Sequence, residues 1–537
     1  MNNLINNLII CPKTLNTMKS KNLLYIIILF NYLNVLSQSP IDYASTITLK
    51  ELNDKLYTYS SDDFEGRETG KKGQKLAVDF LKEHYVKNNI EPVLENTYFQ
   101  NVPLKSIKEP EVSIVINGKV FKNYDDYVIL SGGNNNVELK SNNIIYVGYG
   151  IKDDLHNDYA NIKVKGKIVV AIKGEPKNKK GDYLISNDEK RSKWSKRGSF
   201  TLKKQQAIEE GALAFLYIDE DNLKRYGDWY KNLGHEENTR LELDIDSEKK
   251  VKKDIPGFFI GETITKEIIS QLKSLPTETK KIKTRVKFKY KTIINKINSE
   301  NVAAVIKGSL YPDEYIIITA HLDHVGKSDG EVYNGADDDG SGTVAIMEIS
   351  EAFKKATNDG YRPKRSIMFL HMTAEEKGLL GSKYYTNYDP LVPLENTVTN
   401  LNIDMIGRID PNREEKNKNY IYLIGSDILS QDLHDISEET AQKYSNLVLD
   451  YRYNDPTRKV FESGRYIENR YYYRSDHYNF AENNIPIIFY FAGTHVDYHK
   501  PTDTVDKIEF DLLLQRTKLI FHTAWEIANA EERIKNK

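Results

Sequence analysis

The chain has 537 residues, more than one hydrophobic core organises, so its length predicts two or three domains. Hydrophobic residues make up 39% of it and charged residues 29%, the proportions of an ordinary globular protein. The formal net charge is −2, without the basic excess of a nucleic-acid-binding protein, and we therefore expect no nucleic-acid partner.

The N-terminal residues have the pattern of a secretory signal peptide. A short basic stretch that begins at Met18 precedes an apolar run from Leu23 to Phe30, which is too short to cross a bilayer as a helix. We predict a signal peptide over residues 1–37, with Met18 as an alternative start and a retained N-terminal anchor as the alternative interpretation. The mature protein is then expected to be secreted or periplasmic, without stable membrane insertion. It would lack Cys11, the only cysteine, and so any disulfide.

Residues 41–106 are predicted to begin the main domain with helices. The loop Phe64-Glu-Gly-Arg-Glu-Thr-Gly70 is followed by a helix that starts near Gly73. Apolar residues in that helix recur at i, i+3, i+4 and i+8 and predict one buried stripe, formed by Ala77, Phe80, Leu81 and Tyr85.

From residue 107 to 292 the pattern changes to short strands separated by turns. Val112–Ile116 followed by Asn117-Gly118 is typical of a hairpin. No cluster of His, Asp and Glu motifs occurs in this stretch. We therefore predict an inserted β-rich domain, with further strands at 144–147, 167–172, 213–218 and 255–260.

From residue 293 to 537 strands alternate with helices. This alternation predicts an α/β fold with a doubly wound, mostly parallel sheet. In such sheets functional side chains gather at the carboxyl ends of the strands. The apolar runs that predict buried strands are Tyr315–Thr319, Ser366–Leu370, Leu401–Ile406 and Ile485–Phe491, and helices are predicted at Gly342–Lys355 and Asp511–Ala530.

Five side chains that can bind metal occur in short motifs, most of them at the ends of these strands. Two imidazoles and three carboxylates suit a pair of zinc ions when one carboxylate bridges them, although cobalt or manganese can use the same ligands. Each ion would keep an open position for water, as catalytic sites do. The candidates are His321 in AHLDH, Asp337 in NGADDDGSG, Glu376 in TAEEKGLLGS, Asp404 in NIDMIG and His499 in DYHKPTDT.

The arrangement of these ligands follows from their surroundings. Asp337 lies in a glycine-rich turn that lets the backbone approach metal closely, and we predict that it bridges the two ions. His321 and Asp404 would complete the site of one ion. Glu376 and His499 would complete the site of the other.

Neighbouring residues are expected to handle protons and to orient the ligands. Glu375 is predicted to be the general base and acid, and the Tyr498 hydroxyl to reach a developing oxyanion. Asp323 is expected to hold the His321 imidazole in one tautomer, and Asp503 to do the same for His499. Four other histidines are expected to pack rather than to bind metal: His324, His371, His477 and His495.

These motifs resemble those of peptidase family M28, a group of zinc peptidases that includes secreted bacterial aminopeptidases. The resemblance covers Phe64–Gly70 and most of 293–510. It implies a dizinc site with the five ligands above and Glu375 as the base. It also implies a strained peptide bond after the bridging aspartate, between Asp337 and Asp338. Asp338 is then expected to support the ligands without binding metal itself. Asp339 stands where many relatives carry Asn, which we expect to matter little.

The predicted insert resembles a protease-associated (PA) domain. The segments that carry this resemblance are Tyr146–Gly150, Gly166–Val169 and Glu210–Ala212. What the domain does in the molecule is not indicated by its sequence.

The sequence therefore predicts a secreted aminopeptidase with two Zn²⁺ per chain, which hydrolyses N-terminal residues of peptides by attack of a metal-bridging hydroxide. A carboxypeptidase or dipeptidase of the same family is an alternative that needs basic residues around the specificity pocket. A glutaminyl cyclase, with one zinc ion, is another, but the five-ligand set argues against it. The last alternative is a non-catalytic binding protein on the same scaffold. The sequence indicates neither a side-chain preference nor an oligomeric state.

Overall fold

The computed structural model of the chain describes residues 39–132, 136–233, 239–245, 254–269, 279–455, 457–462 and 465–537. The predicted signal peptide, residues 1–37, lies outside the described residues. In the described part, no helix combines the length and the apolar character needed to cross a lipid bilayer. The chain divides into two compact units. Unit 1 contains the described residues up to Val102 together with Asn298–Lys537, and unit 2 is Pro103–Ile297.

The helices and strands are numbered in chain order. The α-helices are α1 (Pro40–Ala44), α2 (Leu49–Tyr59), α3 (Lys72–Lys87), α4 (Ser199–Glu209), α5 (Glu220–Leu233), α6 (Glu262–Ile269), α7 (Gly342–Asn358), α8 (Leu380–Asn387), α9 (Gln431–Tyr444), α10 (His477–Glu482) and α11 (Phe510–Asn529). The strands are β1 (Glu91–Pro92), β2 (Phe99–Ile116), β3 (Lys119–Phe121), β4 (Tyr127–Ser131), β5 (Val137–Val147), β6 (Lys152–Asp153), β7 (His156–Asn157), β8 (Ile168–Ile172), β9 (Ala214–Ile218), β10 (Arg240–Leu243), β11 (Gly257–Ile260), β12 (Thr279–Ile306), β13 (Tyr311–His321), β14 (Gly326–Ser328), β15 (Glu331–Tyr333), β16 (Arg365–Met372), β17 (Thr397–Ile403), β18 (Tyr420–Ile424), β19 (Val448–Asp450), β20 (Lys459–Glu462), β21 (Arg465–Glu468) and β22 (Ile487–Phe491).

The sheet of unit 1 has the strand order β19-β18-β22-β17-β13-β16-β12. Its four central strands β22, β17, β13 and β16 are all parallel, so that Ile317 lies between Met368 and Asn400. The pairings β18/β22 and β16/β12 are antiparallel, and the second uses only Val302–Ile306 of β12. The prediction of a mostly parallel α/β sheet is confirmed.

Helices cover both faces of this sheet, as a doubly wound fold requires. Alternate residues of β16 point to opposite sides. Ile367 and Phe369 belong to a core cluster that includes α7 and α11, whereas Met368 and Leu370 belong to a cluster that includes α8 and α10. Because both faces are buried, every residue of β16 is inaccessible and the strand is apolar throughout most of its length.

The predicted stripe of α3 is buried: Leu81 and Tyr85 belong to the cluster that includes α7 and α11, and Ala77 belongs to a smaller cluster with Tyr59 and Phe64. Ala77, Leu81 and Tyr85 are fully buried, and Phe80 is partly buried. The helix therefore packs through the face that its 3.6-residue periodicity predicts.

In unit 2 the strands β5, β8, β9 and β11 are parallel neighbours. The strands β12 and β4 flank them in antiparallel pairings. The predicted hairpin is β2–β3, and its turn residues Asn117 and Gly118 both have positive φ. The predicted insert, residues 107–292, falls inside this unit. Unit 2 also contains α4, α5 and α6 beside its strands.

Candidate metal centre

The site forms where the four parallel strands of unit 1 end. His321 is the last residue of β13, and Asp404 directly follows β17. Glu375 and Glu376 follow β16 after a short turn, and His499 lies in the segment after β22. Because these strands are neighbours and run in one direction, their carboxyl ends bring the five side chains to one place.

Asp338 is at the centre of this group. One carboxylate oxygen, Oδ1, lies 3.1 Å from Nε2 of His321, and the other, Oδ2, lies 3.1 Å from Nε2 of His499. Asp404 Oδ1 is 3.7 Å from His321 Nε2, and Glu376 Oε2 is 3.0 Å from His499 Nε2. Asp338 thus forms one cluster with His321 and Asp404 and a second cluster with His499 and Glu376.

The structure contradicts the expectation that Asp337 bridges. Its Oδ1 accepts a hydrogen bond of 2.6 Å from the Gly407 amide, and its Oδ2 lies 3.3 Å from Nε2 of His495. Both oxygens are therefore engaged away from His321 and His499. The backbone turns between the two aspartates, so Asp338 faces the site while Asp337 faces the loop at 405–408. The cis peptide bond also lies one residue later than expected, between Asp338 and Asp339.

The residues fit a pair of zinc ions. Ligand atoms 2.0–2.2 Å from a tetrahedral zinc ion lie about 3.3 Å from each other, close to the nitrogen–oxygen separations of this site. Among the described residues, the buried atoms of this site without a hydrogen-bond partner include Asp338 Oδ2, Glu376 Oε1, His499 Nε2 and His324 Nδ1. Buried polar atoms without partners are costly, and a cation would satisfy them.

The charges of the site point to the same conclusion. Burial disfavours ionisation of Asp338, yet the His321 and His499 contacts hold its pKa well below its usual value. Burial also opposes charge on His499, but Asp338 and Glu376 raise its pKa to about 10. The carboxylates thus require positive charge nearby, and metal ions compete with protons for such sites.

Asp323 orients both a ligand and the predicted base, through different atoms than expected. Nδ1 of His321 donates to the backbone carbonyl of Asp323 at 2.9 Å, which leaves Nε2 unprotonated for a metal ion. The Asp323 carboxylate instead accepts the Glu375 amide at 3.1 Å. Asp323 is therefore the partner of His321 as predicted, but it uses its backbone carbonyl, and its carboxylate holds the backbone of Glu375.

Asp503 does not hold the His499 imidazole. Its Oδ2 accepts the backbone amides of Asp337 at 3.1 Å and of Asp338 at 3.2 Å. This is a correction of the expected contact: the carboxylate fixes the loop that carries Asp338 rather than a histidine tautomer.

Glu375 and Tyr498 line a cleft beside the metal-binding groups. Burial and then the neighbouring carboxylates raise the pKa of Glu375 well above its usual value, although His321 opposes them. The Tyr498 hydroxyl accepts a hydrogen bond of 3.3 Å from Arg474 Nη2, and its ring stacks on His499. The other walls of the cleft are formed by Met405, Tyr471, Phe489, Phe491 and Thr494.

Sequence reasoning missed the roles of two residues near the site. His324 is buried, its Nδ1 lies 2.9 Å from Glu376 Oε1, and with Asp338 and Glu376 it could hold a metal ion. Asp339 accepts the amides of Gly342 at 2.9 Å and Met405 at 3.1 Å, so it fixes the segment next to Asp404. The available signals were the second histidine of AHLDH and the third aspartate of GADDDGSG.

Comparison with known proteins identifies the domain that carries this site. Peptidase family M28 matches residues 301–524. Aminopeptidase NAALADL1 of Rattus norvegicus is 38% identical over 109 residues, which are 20% of this chain and 14% of that protein. Aminopeptidase YwaD of Bacillus subtilis (strain 168) is 27% identical over 245 residues, 44% of this chain and 46% of its own length. This chain thus spans less than half the length of either relative.

A solved structure is similar to this chain at low sequence identity. The aminopeptidase from Aneurinibacillus sp. strain AM-1 is 17% identical, has a TM-score of 0.49, and covers 93% of this chain and 97% of its own. The family match over residues 301–524 confirms the resemblance to peptidase family M28 that the motifs indicate.

Proposed function

We propose that the protein is a zinc metallopeptidase, and that it acts as a dizinc aminopeptidase on peptide substrates. The observation that carries the proposal is the Asp338 carboxylate, which lies between His321 and His499 with Glu375 beside them. The family match over 301–524 and the two relatives named as aminopeptidases support the same activity.

Two metal positions would share Asp338. His321 and Asp404 would hold one zinc ion, and Glu376 and His499 would hold the other. When bound, the ions would polarise the scissile carbonyl and make water a stronger nucleophile near neutral pH. With Asp338 each position offers three protein ligands, which leaves room for substrate, and His324 is a further candidate at the position of Glu376.

Glu375 would move the proton. Its carboxylate borders the same cleft as His321 and Asp338, so an oxygen of Glu375 can take a proton from the attacking water and pass it to the leaving amine.

Tyr498 and the cleft walls would bind the rest of the transition state. The Tyr498 hydroxyl, oriented by Arg474, can donate to the oxyanion that develops at the scissile carbonyl. The aromatic walls, such as Phe489 and Phe491, favour an apolar side chain on the residue that is removed.

A carboxypeptidase or dipeptidase is the second candidate, because Arg474 lines the cleft. A guanidinium there could bind the carboxylate of a short peptide. The aminopeptidase remains our first choice because Arg474 already donates to Tyr498 and lies 5.2 Å from the Tyr471 ring centre.

The deciding experiment is a substrate panel for the purified full chain. Free aminoacyl amides, N-acetylated amides and peptides with free or amidated carboxyl ends are assayed with and without chelator. Chelator-sensitive cleavage of free-amine substrates alone supports the aminopeptidase. Cleavage that requires a free carboxyl end would support the second candidate, and two bound zinc ions without any cleavage would argue for a binding protein.

Two further features are part of this proposal. We infer export from the pattern of residues 1–37 and a PA-like character for unit 2 from its glycine-bounded strands. N-terminal sequencing of protein recovered from the medium and the periplasm tests the first, since an uncleaved N-terminus would contradict a signal peptide.

A further inference from the structure

A partly buried segment outside the matched residues 301–524 contacts the metal-binding loops. It comprises residues 64–70, which precede α3. Glu65, Gly66 and Arg67 all have positive φ, so the segment turns back on itself. A Cβ on Gly66 would lie 2.3 Å from the carbonyl oxygen of Gly326, which shows how closely the backbones approach.

Arg67 binds the loop that leads to Asp338. Its side chain is 1% exposed and donates from Nη1 to the Asn334 carbonyl at 2.7 Å and from Nη2 to the Gly335 carbonyl at 2.9 Å. The guanidinium also lies over the Tyr59 ring, 4.6 Å from its centre. A buried cation that donates to carbonyls of one loop fixes that loop in place.

Thr69 reaches the other half of the site. Its hydroxyl is buried and donates to Asp323 Oδ2 at 2.7 Å. Asp323 in turn accepts the Glu375 amide and, through its carbonyl, the His321 imidazole. A single hydrogen bond therefore separates Thr69 from the residue that holds both the base and a metal ligand.

We infer that Arg67 and Thr69 are positioning residues of the metal centre. Arg67 sets the loop that carries Asp338, and Thr69 sets Asp323 and thereby Glu375 and His321. The inference rests on the proposed function, and it means that the matched region alone does not complete the site. Groups that orient metal ligands typically change metal affinity or activity by about 10- to 100-fold when they are removed.

The test compares Thr69→Val, which removes the hydroxyl but keeps the shape, with Thr69→Ser, which keeps the hydroxyl. Thr523→Val is the control, because Thr523 is a buried threonine of α11 whose hydroxyl donates to the Leu519 carbonyl at 3.1 Å. The measurements are kcat and KM, zinc affinity by chelator competition, and thermal stability. Arg67→Met is a second variant for the loop of Asp338.

We expect Thr69→Val to lower kcat by about tenfold or more with little change in KM, and to weaken zinc binding by about tenfold. Thr69→Ser should restore most of both, and Thr523→Val should change stability only. Arg67→Met should weaken zinc binding further.

If the wild-type protein binds zinc and Thr69→Val has the same kcat and zinc affinity as Thr523→Val, the inference is overturned. Wild-type protein without bound zinc would instead overturn the proposed function itself. If the wild-type protein binds zinc but cleaves no substrate, the zinc affinities of Thr69→Val and Thr523→Val decide the inference.

Discussion

At the scale of single residues, the site depends on which of two adjacent aspartates faces it. Gly335 has φ 52° and Asp338 is extended with φ −104° and ψ 97°, so the backbone between them turns and presents only Asp338 to the histidines. Asp337 then serves the neighbouring loop through the Gly407 amide. The two carboxylates have the same chemistry but separate structural roles, and substitution can distinguish them.

We predict that Asp338→Asn binds at least one zinc ion fewer than wild type, because an amide donates at one of the two atoms that face His321 and His499. Asp337→Asn should retain two zinc ions, since the amide carbonyl can still accept the Gly407 hydrogen bond. Elemental analysis of both purified variants measures the difference. Loss of zinc from Asp337→Asn with full retention in Asp338→Asn would restore Asp337 as the bridge.

The role of Glu375 predicts a variant with metal but without turnover. Glu375→Gln removes the proton acceptor and keeps the shape, so kcat should fall by about 10²- to 10⁴-fold while the zinc content stays unchanged. Glu439→Gln, an exposed residue of α9, is the matched control and should behave as wild type. Normal turnover of Glu375→Gln would remove Glu375 from the mechanism.

The ligand motifs could be found in the sequence because their side-chain types and strand-end positions are local features. AHLDH comes after the apolar run Ile316–Ile318 of β13, and NIDMIG spans the end of β17, which is buried throughout. The sequence could not show whether Asp337 or Asp338 faces both histidines, because the three consecutive aspartates are chemically identical and only the backbone turn sets the direction of each side chain. The contact between Thr69 and Asp323 joins residues 254 positions apart, which no local pattern reports.

At the scale of elements, the central strands combine burial with titratable groups. His371 lies on β16, is fully buried, and pairs through Nε2 with the Tyr85 hydroxyl at 2.7 Å. Burial lowers the pKa of His371 to about 3. The folded protein thus keeps this imidazole neutral well below the pH at which the unfolded chain binds a proton.

This shift predicts that stability falls on acidification. The folded-state pKa lies below the unfolded value of 6.5, so the contribution is complete above pH 6.5 and is lost as pH falls toward 3. At pH 5 the loss from His371 should be about 2 kcal/mol, at about 1.4 kcal/mol per pH unit below 6.5. His371→Gln should show a correspondingly weaker pH dependence of the unfolding free energy between pH 7.5 and 5. Parallel curves for variant and wild type would contradict this assignment.

The same elements explain why the sheet was easier to predict than the insert. β16, β17 and the second half of β13 are fully buried, and the apolar runs Ile316–Ile318 in β13 and Ile367–Leu370 in β16 mark two of these strands in the sequence. In unit 2, β12 instead alternates between exposed and buried residues along Lys283–Lys291. The whole strand has 28 residues, far more than the usual length of a strand. Its pairing with β5 and then with β16 is a long-range property.

At the scale of the whole molecule, the two units have separate hydrophobic cores. The core that includes Ile318 and Phe353 belongs to unit 1, and the one that includes Phe258 and Phe288 belongs to unit 2. Every residue of the candidate metal centre lies in unit 1. Metal binding should therefore stabilise one unit and leave the intrinsic stability of the other unchanged.

We predict two unfolding transitions in scanning calorimetry, of which chelator lowers only one. Free zinc at 100 times its Kd contributes about 2.7 kcal/mol to the unit that binds it, which corresponds to roughly 5 °C in Tm for a large domain. Phe288→Leu, a substitution in the core of unit 2, should lower the other transition and thereby assign both. Asp338→Asn should make the first transition much less sensitive to chelator. If chelator moves both transitions equally, the units unfold as one cooperative structure, and zinc then stabilises the chain as a whole rather than the peptidase unit alone.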